Sequence, residues 1–207
     1  MASSRFSLLA ASLAVLLLAT ATSAFARHYA ASGATVKPAA TAAACTASTL
    51  AGYAKSVKLT ADGLLLFHWN VTKNKNGIVA AVEAKAGSGG ETGWISVGWT
   101  KKAGMMSPAD AVVGNLAAAA PNNVLAYSMS GKVLSKIKKT TAVKLSAKSV
   151  VTSADSTIVK FTRTAKGGVG PISYTGNNNM IWAFSDAKAF TSHTQRGSIL
   201  VNLACTV

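Results

Sequence analysis

Residues 64–72 read LLLFHWNVT. Leu65, Phe67, Trp69 and Val71 fall on one side of an extended chain, and His68, Asn70 and Thr72 fall on the other. A period of two with large apolar groups on one face is the pattern of a half-buried β-strand. Shorter runs of the same kind recur at 78–84 (IVAAVEA), 93–100 (GWISVGWT), 123–129 (NVLAYSM), 132–138 (KVLSKIK), 142–147 (AVKLSA), 157–163 (TIVKFTR), 179–185 (NMIWAFS) and 197–204 (GSILVNLA). Turn residues such as NKNG and SGK separate them. No segment offers a capped amphipathic helix of useful length. GNLAAAAPNN, residues 114–123, has room for a turn or two, with Leu116 its one strong apolar residue. The spacing predicts an all-β chain, an antiparallel β-sandwich of about ten strands.

Both ends of the 207-residue chain frame that domain. Arg5 is the only charge before Arg27, Leu8 to Ala21 is apolar, and Ala24-Phe25-Ala26 places small residues where a signal peptidase reads. Residues 1–26 are therefore expected to be a signal peptide, and the mature chain a secreted, extracellular protein of a cell-wall or apoplast-like space. No later stretch approaches the roughly 20 apolar residues of a membrane helix. Residues 27–44 are mostly Ala, Thr and Ser, too poor in apolar surface to order themselves, and read as a flexible lead-in. The domain is expected over 45–207. Cys45 and Cys205, an even pair in an oxidising compartment, most simply form one disulfide, worth roughly 4 to 5 kcal/mol at most in the chain-entropy account. Asn70-Val71-Thr72 is a glycosylation sequon on the non-core face.

Charge narrows the partners. The chain carries 21 basic and 6 acidic residues; removing Arg5 with the signal leaves a formal charge of +14. Export argues against nucleic acid. An acidic redox protein or an acidic cell-wall polysaccharide suits the compartment better. Catalytic constellations are missing: no nucleophile beside a base, no close carboxylate pair, and GSGG at 87–90 lacks the Lys-Ser/Thr step of a phosphate loop. The chain is not expected to be an enzyme.

What remains is GMMSPAD, residues 104–110, where Met105 and Met106 sit between turn-forming residues, and HTQRG, residues 193–197. His28 lies in the lead-in and His68 reads as a packing or surface residue within a strand; His193 is in a polar connector between two strands. If the strands flanking the two loops run antiparallel, a Met sulfur and a His nitrogen emerge at the same end of the sandwich. Such a pair suits the two axial positions of a haem iron, saturating it and raising its potential, as an electron carrier requires. No CxxCH motif is present, so such a haem would be non-covalent haem b.

The order of GWISVGWT, a Gly-Met loop running into AD-AVVG, NVLAYSMSG, TIVKFTR, MIWAFS and H-x-x-x-G before a final hydrophobic strand resembles the DOMON domain family, over about Cys45 to Val207. That resemblance implies a β-sandwich and, in one branch, haem b held by a Met and a His. It implies Met106, four residues before Asp110, as the ligand, with Met105 as runner-up, and His193 with Gly197 in register. It also implies a small-molecule reductant or a redox protein as partner. Other family members bind sugars, so the alternative is a haem-free sandwich binding cell-wall polysaccharide. Trp94, Trp99 and Trp182 read as core residues that could border a ligand, Met129 and Met180 as core. Arg163 reads as a buried ion-pair partner or a propionate contact, and Asp110 as a loop cap.

Overall fold

The computed structural model describes residues 42–74 and 76–207, so the expected signal peptide and residues 27–41 of the lead-in lie outside the described residues. Twelve strands follow in chain order: β1 (Thr46–Ala47), β2 (Lys55–Lys58), β3 (Leu65–Val71), β4 (Gly77–Lys85), β5 (Trp94–Thr100) and β6 (Ala109–Asn115), then β7 (Val124–Met129), β8 (Ile137–Lys139), β9 (Leu145–Thr152), β10 (Ser156–Thr164), β11 (Asn177–Ser185) and β12 (Gln195–Asn202). They form two six-stranded sheets, β1-β2-β3-β4-β10-β9 and β12-β11-β5-β6-β7-β8, with every strand pair antiparallel. The expected all-β sandwich is present, with two more strands than the alternation alone suggested.

The period-of-two alternation of residues 64–72 sets the core. Leu65, Phe67 and Trp69 of β3 face inward with Val82 of β4 and Phe161 of β10, and meet Ile95, Val97 and Trp99 of β5 and Met180 and Phe184 of β11. Phe67 stacks on Trp69 at 5.5 Å within its own sheet and meets Trp99 edge-on at 6.2 Å from the other. Such contacts across the layer fix how the sheets stack.

Three local expectations give way. Residues 109–115 were not read as a strand, yet they form β6 at the centre of the second sheet, and both β5 and β6 are buried on both faces. β5 still shows its period through Ile95, Val97 and Trp99, whereas the residues opposite them in β6 are Gly114, Val112 and Asp110, so a period-of-two search passes over ADAVVGN. Residues 132–138 split into a 3-10 turn, Leu134–Lys136, and the short edge strand β8. The stretch after β6 makes turns rather than helix, closed by Ala118 N–H to Asn115 O and Asn122 N–H to Ala119 O. Ala-rich chain with one apolar residue has no face to bury.

Cys45 and Cys205 are joined, with Cα atoms 6.3 Å apart. Nearby, Ala43 N–H donates to Leu200 O at 2.8 Å and the Trp69 indole N–H to Leu203 O at 3.2 Å. The chain is thus held to β12 from Ala42 onward.

On the outer face of the first sheet, residues 48–54 are strapped down by two polar side chains of β3. His68 accepts or donates to Ser48 Oγ at 2.9 Å through Nδ1 and meets Glu83 at 3.1 Å through Nε2, and it is completely buried. The Asn70 amide accepts from Ala54 N–H and donates to Gly52 O, both at 2.7 Å. Both side chains lie on the non-core face, as the alternation predicts, and the strap makes His68 an interior residue.

Candidate functional site

The outer face of the second sheet is apolar too, which is unusual for a face that would otherwise meet water. Trp94 of β5, Ala109, Ala111 and Val113 of β6, Met129 of β7 and Ile181 of β11 form a second buried cluster there, separate from the interior core. The connector after β11 covers it. Phe190 meets Trp94 edge-on at 5.0 Å and Tyr127 at 4.9 Å, and Thr194 N–H donates to Phe184 O at 2.8 Å, folding the connector back onto the sheet.

Between cover and sheet lies a cavity of about 380 Å³. Ligand sites usually span about 300 to 1,000 Å³, with apolar walls and a few polar groups. Its floor is made of small residues, Ser96, Gly98, Ala111, Ala183 and Gly197, so a flat ligand could approach the sheet closely. Its walls are Trp94, Tyr127, Phe190, Ile137 and Ile181, with Lys132 and Arg196 among its polar groups.

Met106 and His193 both line this cavity. They reach it from opposite ends of the sheet, not from the single end that antiparallel flanking strands would give. β5 and β12 are each antiparallel to β11 and so run in the same direction. The Met106 loop leaves the end of β5, whereas His193 precedes the start of β12, a strand's length away. The two loops converge because both turn over the face of the sheet. Met106 packs on the outer cluster, while Met105 is 43 % exposed and is not part of the cavity lining. Thr100 Oγ1 donates to Pro108 O at 3.2 Å and Met105 N–H to Lys102 O at 3.2 Å, holding the loop's shape.

His193 is half-buried, and Arg196 Nη1 donates to its Nε2 at 3.1 Å. A guanidinium can only donate, so Nε2 is the acceptor and the ring proton sits on Nδ1. Burial first, and then the Arg196 charge, hold the His193 pKa below its ordinary value. The imidazole is therefore neutral near pH 7, the state in which it binds metals.

The remaining sequence candidates divide cleanly. Trp94 and Trp182 line the cavity; Trp99 belongs to the interior core. Met180 is interior as expected, but Met129 lines the cavity. Arg163 is completely buried between the sheets, its guanidinium 4.2 Å from the Trp99 ring centre, donating to Gly170 O at 2.6 Å and 3.9 Å from Asp110 Oδ2. It is an ion-pair partner, and its place in the interior takes it away from the cavity. Burial pushes its pKa down to about 10 against the opposing pull of Asp110. Asp110 caps no part of its own loop: it faces inward from β6 and accepts from the N–H groups of Val169 and Gly170, the latter at 2.8 Å. Gly168 turns there with φ +73°, where a side chain would strike the Asp110 carboxylate.

Arg196, Tyr127 and Phe190 were not singled out from sequence. Arg196 lies opposite Ala183 in the β11–β12 pair, on the cavity face, but that parity has meaning only once β12 is known to edge this sheet. Gly197 has a physical reason as well: a Cβ there would lie 2.4 Å from Cζ2 of Trp182, the residue directly across in β11.

The cavity, its two donor side chains and the twelve-stranded sandwich can be set beside known proteins. The cytochrome b domain of pyranose dehydrogenase from Coprinopsis cinerea superposes with a TM-score of 0.54 at 11 % identity, covering 79 % of this chain and 89 % of that one. The cytochrome domain of Myriococcum thermophilum cellobiose dehydrogenase gives 0.50 at 10 % identity, covering 76 % and 86 %. At such identities the likeness is one of fold. A comparison with curated proteins gives no match. The DOMON domain matches residues 61–185, a span that includes Met106 and Asp110 and ends eight residues before His193. With more than half of its length matched, from the half-buried strand β3 to the end of β11, this chain belongs to the DOMON domain family.

Proposed function

We propose that this chain is a secreted b-type cytochrome that carries single electrons through a haem held between Met106 and His193, and that it is an electron carrier rather than an enzyme. The observation that carries the reading is the convergence of these two side chains, from opposite ends of the sheet, on one apolar cavity. The donor set fits the group: a thioether and a neutral imidazole are a known axial pair of electron-transfer haems. A floor of small residues between aromatic walls accepts a flat macrocycle, and Lys132 and Arg196 offer cations for its carboxylates. When bound, haem supplies a one-electron couple whose potential the weakly donating thioether raises.

This chain's own residues do the rest. Phe190, Trp94 and Tyr127 pack together as an apolar aromatic wall of the cavity. Arg196 donates to Nε2 of His193 in the described arrangement, so for that atom to hold a metal the guanidinium would have to release it. The Cys45–Cys205 bond supports an extracellular place of work. Among the described residues no helix is long and apolar enough to cross a membrane. Occupancy of the Asn70 sequon is part of the same proposal; the Asn70 nitrogen that would carry the glycan bonds Gly52 O.

Absorption spectroscopy of the purified protein, oxidised and then reduced with ascorbate, tests the reading. Resolved α and β bands on reduction are expected for the wild type. His193→Ala should lose haem, Met106→Ala should lose the low-spin signature, and Met105→Ala should leave the spectrum unchanged. A wild-type protein that stays colourless after reconstitution with hemin sinks the proposal. Normal incorporation in His193→Ala does so equally.

A further inference from the structure

The cavity is delivered by three connectors, and their charge is lopsided. Residues 101–108 (KKAGMMSP), 130–139 (SGKVLSKIKK) and 186–197 (DAKAFTSHTQRG) hold seven lysines, one arginine and a single carboxylate, Asp186. That carboxylate already accepts from Thr194 Oγ1 at 3.0 Å. Among the described residues the side-chain ion pairs are His68–Glu83 and Arg163–Asp110, both remote from these connectors, so none of the seven lysines is paired with a described carboxylate. Lys132, Lys136, Lys138 and Lys139 are all exposed, and the pairing of Lys139 with Tyr127 puts it on the cavity side of β8.

A basic surface alone does not distinguish a polysaccharide from a protein. The apolar residues do. Val133 and Leu134, 61 % and 53 % exposed, stand among these lysines, and Leu134 also lines the cavity. An apolar centre ringed by charge is the anatomy of a protein interface. Sugar-binding surfaces instead present aromatic faces, and no described Trp, Tyr or Phe is in the exposed class.

We infer that the lysine-rich rim around the cavity, centred on Val133 and Leu134, docks an acidic protein that exchanges electrons with this chain. The inference rests on the electron-carrier reading and adds to it the surface and the chemistry of the partner. One electron passes from the reduced partner to the oxidised chain or back, with no atom transferred. Interfaces of this kind are small and transient, and the field of the cations raises the encounter rate by roughly 10- to 1,000-fold at low salt.

The test uses the haem-loaded protein and an acidic blue-copper protein as probe, with electron exchange followed by stopped flow between about 10 and 300 mM salt, a range over which the Debye length shrinks several-fold. The wild-type rate should fall about tenfold or more across that range. The variant Lys136→Glu/Lys138→Glu/Lys139→Glu should lose at least about tenfold at low salt and flatten the dependence, and a matched reversal on the first sheet and its β3–β4 turn, Lys58→Glu/Lys73→Glu/Lys160→Glu, should lose far less. Val133→Ser should slow exchange with the probe yet leave retention on polygalacturonate unchanged. Equal effects of the two charge reversals, a salt-independent rate, or tighter binding to polygalacturonate than to the probe would each overturn the inference. Reduction by ascorbate, run in parallel, must stay normal in every variant; a protein without haem fails at that step, which marks failure of the electron-carrier reading instead.

Discussion

Asp110 shows how one residue can decide more than its local pattern suggests. Its carboxylate sits on the inner face of β6, bonded to backbone N–H groups of residues 169 and 170 and facing the buried Arg163 guanidinium. Among the described residues Asp110 is the one carboxylate paired with that cation. Removing one partner of a buried pair leaves the other desolvated and unpaired, at a cost of about 3 to 5 kcal/mol. Asp110→Ala should therefore lower the urea midpoint sharply, whereas Asp110→Ala combined with Arg163→Met should recover much of the loss; equal loss in single and double variants would refute the pairing. His68 makes a second residue-scale prediction. Burial, as the leading cause, holds its pKa below 6.5 despite the favourable Glu83 carboxylate. A lowered folded-state pKa means that the unfolded chain takes up the proton first. The His68 contribution is complete above about pH 6.5, the unfolded value, and is lost as pH falls below it. His193 shifts in the same direction, so the comparison that isolates His68 is urea unfolding of wild type and His68→Gln at pH 7.5 and 5.5. The wild type should lose the larger share of its stability on acidification.

At the scale of elements, the cavity depends on close approach between strands β11 and β12. Gly197 lies opposite Trp182, and a Cβ would intrude on the indole. Forcing an extra methyl into such a contact costs roughly 1 to 3 kcal/mol, and the ring has to move. Gly197→Ala should lower Tm, shift the tryptophan emission and weaken haem uptake together. An unchanged emission spectrum would mean that the ring does not rest on this glycine. The elements that alternation predicted well, β3, β4, β5, β10 and β11, each have one face in the core and a distinct set of residues on the other. Those it missed lack that contrast. β1 and β2 are two and four residues long, and β6 is buried on both sides. Short strands carry too few residues to show a period, and β6, doubly buried like β5, puts Asp110, Val112 and Gly114 on its inner face where β5 has Ile95, Val97 and Trp99, so no run of large apolar groups marks it.

Across the whole molecule, the disulfide links residues 160 apart, so it constrains nearly the entire domain in the unfolded state. A closed loop of that length contributes on the order of 5 kcal/mol in the chain-entropy account. Cys45→Ser/Cys205→Ser should lower the unfolding free energy by up to that amount, measured by denaturant titration under oxidising conditions, with a fall in Tm. The bond also holds the N-terminal segment against β12, the edge strand that carries Arg196 and Gly197. Loss of the bond should thus weaken ligand uptake as well as stability.

By itself the sequence determined the all-β class, the inward face of the long strands, the pairing of two cysteines, the excess of positive charge and the residue types, Met and His, that suit an axial pair. These are local or compositional properties, readable because burial on one face leaves a period of two and because two cysteines have one partner each. Only the tertiary structure decided which loops meet. Met106 and His193 start from opposite ends of the second sheet, and their convergence depends on strand directions set by the β5–β11–β12 order and on the Phe190 connector folding back over Trp94. It likewise moved Met105 to the surface and Arg163 into the interior, and brought Arg196 onto His193. Such contacts join residues far apart in the chain, through packing across a sheet face that no periodicity within one strand encodes.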